Sequence, residues 1–332
     1  LGSAVVAQPA QAASVLAVPL APTLTAAQQV ARFWLADGAV NLRNATPYNI
    51  WTAVSGERLS TDIVPDGLPT SLPPVEGPSP EGSMPTTLGK VFFIGSDLQP
   101  HWCTGTAVQS PYRNIVATAA HCLLDVEAPA GPLTKWVFVP GYSEESVTPF
   151  GLYVGKQAVV HYDFDDIRDY DRDYAFINVY SGVVSPAPDV LTNVGRLVDN
   201  VGAQGLAFNR PLAPTADVFG YPAGPNPDGS QPYTGETLEQ STGSTFTMDV
   251  TGFHADRPIG VDSPFTGEGS LGSPWLTDYS ADSRTGYLNG ITISVSDTDG
   301  DDRYDTGVSS YFDTESYAVY RAAIKNWTGQ IA

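Results

Sequence analysis

The amino-acid sequence predicts an all-β protein, built as a sandwich or as barrels. Three observations carry that prediction. Thirty-two glycines and 28 prolines in 332 residues favour many short elements joined by turns over long helices. Short runs rich in β-branched and aromatic residues recur along most of the chain, each bounded by turn residues. Hydrophobic residues make up 42% against 16% charged, which is enough apolar material for a sizeable core and marks the chain as globular.

Taken in order, residues 1–24 read as the remnant of a secretory signal or a disordered tail, because Leu1 to about Pro22 is rich in Ala, Val, Pro and Gln around Ala10-Gln11-Ala12-Ala13. This stretch is not expected to contribute to the fold. Thr25 is a possible N-cap for an amphipathic helix running to Leu35. Residues 60–86 then hold Pro65, Pro69, Pro73, Pro74, Pro78, Pro80 and Pro85, so no strand ladder is expected there and the stretch reads as a linker. A first series of strands follows: Gly89–Ile94, Cys103–Val108, Ile115–Ala120, Lys135–Pro140, Tyr153–His161 and Tyr174–Tyr180. A second comprises Val218–Tyr221, Thr245–Val250, Pro274–Thr277, Gly286–Val295 and Gly307–Tyr311. Glu315–Trp327 has helical spacing, with Tyr317, Tyr320, Ile324 and Trp327 on one face. No internal repeat is visible. No apolar run reaches the ~20 residues a membrane span requires.

The net charge of −20 repels nucleic acid and anionic membranes, so neither is expected as a partner. Two cysteines, if bridged, point to an oxidising compartment outside the cytoplasm.

The chemistry concentrates in Ile115-Val-Ala-Thr-Ala-Ala-His121-Cys122, an apolar run that delivers one histidine beside one cysteine, preceded by Cys103-Thr-Gly-Thr-Ala-Val108. The pair of motifs resembles the histidine loop of chymotrypsin-like serine proteases. Gly89-Lys-Val-Phe-Phe93 and Gly220-Tyr221-Pro222 are similar to phrases in secreted bacterial trypsin-like and glutamyl-endopeptidase-like members. The resemblance covers about residues 88–328. It implies two antiparallel six-stranded β-barrels, over about 87–200 and 201–312, with a C-terminal helix at about 314–327 and an active site between the barrels. It also implies a Cys103–Cys122 disulfide and His121 as general base. In that frame residues 25–86, helix plus linker ahead of a protease-like domain at 87–332, read as a propeptide, or else as an appendage with no inhibitory role.

A base histidine needs an acceptor on its far nitrogen. Asp173 fills that role by resemblance, since the family writes an Asp, a residue, an Ala and an apolar strand here. Asp163, Asp165, Asp166, Asp169 and Asp171 crowd the same loop, but Asp173 alone directly precedes the apolar run Ala175–Val179.

The nucleophile motif departs from the family's Gly, any residue, Ser, Gly, Gly or Ser, Pro. In Thr266-Gly-Glu-Gly-Ser-Leu-Gly-Ser-Pro274, alignment on Gly269 and on Gly272-Ser273-Pro274 puts Leu271 where the serine belongs and Ser270 one position early. Two readings follow. In one, a turn longer by one residue presents Ser270 to His121, with Glu268 in place of the usual glycine. In the other, the site is dead, and Gly269 and Leu271 keep only the shape of the oxyanion turn. Losing a triad nucleophile costs on the order of 10⁶-fold in turnover, so little lies between the two. The strand Leu288–Ser294 departs as well: Ile293 stands where the family has a serine, and Ser294 follows it.

The specificity-pocket position is Phe265 or, in the other register, Pro264, neither of them an acid that would select basic residues. Thr292 stands where glutamyl endopeptidases have a histidine. An apolar or small side chain is the default preference. Asp297, Asp299, Asp301 and Asp305 alternate around Gly300 and are calcium candidates, although their spacing differs from the EF-hand. No other cofactor is expected. His101, His161 and His254 read as structural or surface residues, and the six tryptophans as core packing.

The sequence thus leads to a secreted, monomeric serine endopeptidase acting on protein or peptide through His121, Asp173, Ser270 and an acyl-enzyme. The alternative is an inactive pseudoprotease that binds peptides or proteins. A third class is a cation-stabilised adhesion module.

Overall fold

The computed structural model describes residues 14–78, 84–126 and 131–332. Six strands of the first series close into a barrel. Their order around the ring is Tyr153–His161, Ala175–Val179, Ile115–Thr118, Pro100–Val108, Leu88–Ile94 and Thr134–Pro140, with Val137 and Phe138 returning to Val154 and Tyr153. These are the runs read from the sequence, Tyr153–His161 with the same bounds and the other five with an end shifted by one to three residues. Their buried faces, Val91, Val116, Phe138, Phe176 and Ile177 among them, form one core.

The second body is a curled half-barrel sheet and does not close as a six-stranded ring. Its spine is the 12-residue strand Thr285–Ser296, which changes partners along its length. It pairs with Pro274–Ser280 as far as Ile291, and with Thr306–Ser310 from Thr292 onward. Gly205–Phe208 joins it in parallel at Tyr287 and Leu288 and spends its own outer edge on Thr70–Leu72 from the N-terminal arm, so that edge is not available for closure. Glu239–Gly243, Pro258–Asp262 and the hairpin Gly182–Ala187/Val190–Gly195 are strands that the sequence pattern did not reveal. Their alternation is interrupted by polar and glycine residues, and pairing supplies what the pattern lacks.

The N-terminal region departs most from expectation. Val15–Pro19, placed outside the fold by composition, pairs along the edge of Tyr153–His161. Thr70–Leu72 forms a ladder inside the proline-rich stretch, because the three residues between Pro69 and Pro73 all keep their N–H groups. Residues 1–13 of the expected tail and 79–83 of the expected linker lie outside the described residues. The helix spans Leu24–Arg43, is capped by Thr23 and not Thr25, and breaks at Ala36–Ala39, where the backbone leaves helical angles. Trp34 is fully buried from this helix, and its Nε1 donates to the Lys135 carbonyl at 2.6 Å. Ser55–Arg58 continues the arm onto Thr245–Thr251 of the second body.

The C-terminal helix is shorter than its pattern, Thr314–Ala323, with Asp313 Oδ1 accepting from the N–H groups of Glu315 and Ser316. Tyr320 of the expected face is buried, but Trp327 lies beyond the helix and is 53% exposed, as Trp51 is at 41%; these two tryptophans are not core residues. No helix of the described residues is long and apolar enough to cross a membrane.

Candidate active site

The strand Ile115–Thr118 ends in a tight 3₁₀ turn, Ala120–Cys122, that holds His121 fully buried. Asp173, also fully buried, stands between the turn Tyr170–Arg172 and the strand Ala175–Val179. It grips the histidine twice. The His121 backbone N–H donates to Oδ1 at 2.9 Å, and Nδ1 donates to Oδ2 at 2.5 Å. With Nδ1 carrying the proton, Nε2 keeps its lone pair, and Nε2 has no hydrogen-bond partner among the described residues. Cys122 is bonded to Cys103, which ties the histidine turn to the neighbouring strand.

The competing acids serve other ends. Asp171 receives the N–H groups of Asp256 and Arg257, and Asp169 caps the turn before Asp173. Arg172 pairs with Asp313 and Glu315. Of the remaining histidines, His101 pairs with Asp97, and His161 is buried with its pKa lowered, chiefly by desolvation.

The turn Thr266–Ser273 packs against Thr104 and the end of the strand Ile115–Thr118, and is fixed by its backbone. Ser270 N–H donates to Gly267 O at 3.1 Å and Ser273 N–H to Ser270 O at 2.9 Å. Thr104 N–H donates to Leu271 O and Gly272 N–H to Thr292 O, each at 2.8 Å. Gly269 and Gly272 have positive φ, and a Cβ at either would collide with Trp102 and Tyr221 or with the Thr104 carbonyl. The N–H groups of Gly269 and Leu271 meet no acceptor among the described residues.

The side chains on this turn divide sharply. Ser270 Oγ is buried and donates to Thr266 O at 2.5 Å; no hydrogen bond joins it to His121. Leu271 is fully buried in the apolar core, a burial that contributes about 1.5–3 kcal/mol. Burial also raises the pKa of Glu268. A register shift separates Thr292 from Ser294, and Ile293, the residue within it, is 1% exposed. Thr292 Oγ1 accepts from the Trp275 indole at 2.9 Å. Phe265 packs edge-on against Tyr233 in a cluster with Trp275, Val261 and Tyr311. Asp297, Asp299 and Asp305 bring carboxylate oxygens within 4.8 Å of one another, while Asp301 is outside that group and accepts from Arg303 N–H.

Two features escaped the sequence. Tyr48 of the N-terminal arm lies near-parallel to the His121 ring at 6.4 Å, with Phe93 edge-on at 5.0 Å. Lys90 is buried under the turn in a cage of Trp102 (3.7 Å from Nζ to ring centre), Tyr142 (4.4 Å) and Tyr221 (5.2 Å). Burial lowers its pKa to about 7, against the opposing pull of Glu144 and Glu236. A lone charge inside Gly-Lys-Val-Phe-Phe was the available signal for Lys90; Tyr48 had none.

This arrangement of closed barrel, curled half-barrel and C-terminal helix is the chymotrypsin-like serine-protease fold. Solved structures with the same fold include a thermostable serine protease, AL20, from an extremophilic microorganism, at 23% identity and a TM-score of 0.59, covering 73% of this chain and 98% of that one. Protease Anisep from Arthrobacter nicotinovorans matches at 24% identity and a TM-score of 0.58, covering 76% and 100%. A Glu endopeptidase matches at 16% identity and a TM-score of 0.50, covering 73% and 91%. No model of a known protein family matches the sequence, and no curated protein does.

Proposed function

We propose that this chain is a catalytically silent protein of the serine-protease fold, a module that holds extended protein or peptide segments in its cleft without hydrolysing them. The observation that supports this reading is the state of the turn Thr266–Ser273. The Ser270 hydroxyl is turned into the Thr266 carbonyl, and the residue aligned with a nucleophile is a buried leucine. Without a hydroxyl at the lone pair of Nε2, the imidazole has no proton to take and no acyl-enzyme forms.

The buried His121–Asp173 pair favours a second reading, a serine endopeptidase in which Ser270 swings from Thr266 to Nε2. A fluorophosphonate probe separates the two. On the folded chain, with peptide mapping and His121→Ala as control, the silent reading expects no adduct. An adduct on Ser270 that vanishes with His121→Ala would establish the endopeptidase. The disulfide accords with a secreted protein, which is part of the same proposal.

A further inference from the structure

Part of one edge of the strand Thr285–Ser296 is left uncovered by its neighbouring strands. Pro274–Ser280 covers one edge of Thr285–Ser296 as far as Ile291, and Gly272 and Ser273 take the carbonyl and N–H of Thr292, so the same edge is open to other partners from Ile293 onward. Thr306–Ser310 occupies the opposite edge there, and the groups of Val295 point to the open side. The N-terminal arm fills that gap. Val295 N–H donates to Thr52 O at 3.0 Å, and Val54 N–H donates to Val295 O at 2.9 Å, in a parallel bridge centred on Ala53.

The arm is pinned on both sides of the cleft. Thr46 and Pro47 pair with His101 and Trp102 of the barrel, and Tyr48 N–H donates to Trp102 O at 2.9 Å. Ser55–Arg58 pairs with Met248–Thr251 of the half-barrel. Between these anchors Tyr48 lies over His121, and the Thr52 carbonyl lies so close to Gly267 that a Cβ there would come within 2.5 Å of it. Bare backbone at residue 267 leaves room for the strap beside the catalytic turn.

We infer that residues 46–58 are an intramolecular strap that occupies a polypeptide-accepting edge at residues 294–296, so that an extended segment from another molecule gains this edge only when the strap leaves. This deepens the silent-cleft reading and rests on it for the claim that captured chains are not cut. The chemistry of capture is strand addition. Val295 supplies one donor and one acceptor, and the incoming backbone supplies their complements. A tethered strap acts at an effective concentration on the order of millimolar, so a free segment of similar affinity is excluded from the intact chain.

The first test needs no substitution. Hydrogen exchange on the full chain should show the Val54 and Val295 amides slowed at least about 100-fold relative to the unfolded chain; exchange at loop rates would overturn the strap. The second uses Val54→Pro, which deletes the donor to Val295 O in a half-exposed position. With circular dichroism confirming the fold, a fluorescent synthetic peptide of residues 46–58 should bind this variant at least tenfold more tightly than the unaltered chain. If Val54→Pro frees the Val295 amide yet takes up no peptide, the edge is not an acceptor and the inference falls. Should the variant not fold, Tyr48→Ala, which loosens the same strap, carries the same expectation. Fluorophosphonate labelling of the opened variant reports separately on the silent reading: an adduct would sink that reading and leave the strap standing.

Discussion

The two sides of the cleft are built to different standards. On the barrel side, His121, Asp173 and the Cys103–Cys122 bond form a closed unit in which both aspartate oxygens are spent on the histidine. On the half-barrel side, the turn keeps its glycines and its backbone hydrogen bonds, but its side chains make no use of that shape. The difference teaches that the turn's conformation is set by main-chain bonds to Thr104 and Thr292 and by two positive-φ glycines, none of which requires a serine at 271. A nucleophile can therefore be lost without unfolding its loop. A buried histidine–aspartate pair has no such freedom, because removing one partner strands the other in the core.

The largest expected effect breaks the comparison from the turn side. Leu271→Ser places a hydroxyl at the turn position that aligns with the nucleophile in the resemblance. Fluorophosphonate labelling at residue 271 should rise by more than about 10³-fold over the unaltered chain and disappear when His121→Ala is added. Absence of labelling in the folded variant would show that residue 271 is not presented to His121. On the barrel side, Asp173→Ala should cost about 2–6 kcal/mol in denaturant unfolding, because two buried N–H groups of His121 lose their acceptor. A loss under about 1 kcal/mol would show that the pair is not the structural unit described.

The smallest effect sharpens the comparison through Lys90, which lies beneath the turn. Its folded pKa of about 7 is below the unfolded value of 10.5, so the cost of burying its charge is present in full below pH 7. Between about pH 7 and 10.5 the unfolded chain holds a proton that the folded chain has released, and stability from this group rises with pH. The stability difference between the unaltered chain and Lys90→Met should therefore shift across that window by at most about 1.4 kcal/mol per pH unit, in favour of the lysine at high pH. A difference independent of pH would mean that Lys90 stays charged in its cage.

Much of the barrel was legible because Val, Ile and Phe dominate its strands and turn residues bound them, as in Ile115–Thr118 and Tyr153–His161. The half-barrel was read less completely. Gly205–Phe208 and Glu239–Gly243 are short, and they are strands because neighbours pair with them. The N-terminal arm was read least well. Alanine and proline content argued against structure, yet Val15–Pro19 and Thr70–Leu72 each needed only a few free N–H groups and an open edge elsewhere.

The sequence by itself determined the all-β class, the identity of the two cysteines that bond, and the anomaly at Leu271, since these depend on residue type and local order. Only the tertiary structure decided where the Ser270 hydroxyl points, that Lys90 sits among three rings, and that Thr52–Val54 fills the edge beside Val295. Each of these is a contact between segments from about a dozen to more than 200 residues apart, or a rotamer chosen by burial. Such contacts leave no period or motif in the chain, because they depend on which edges and cavities the rest of the fold leaves open.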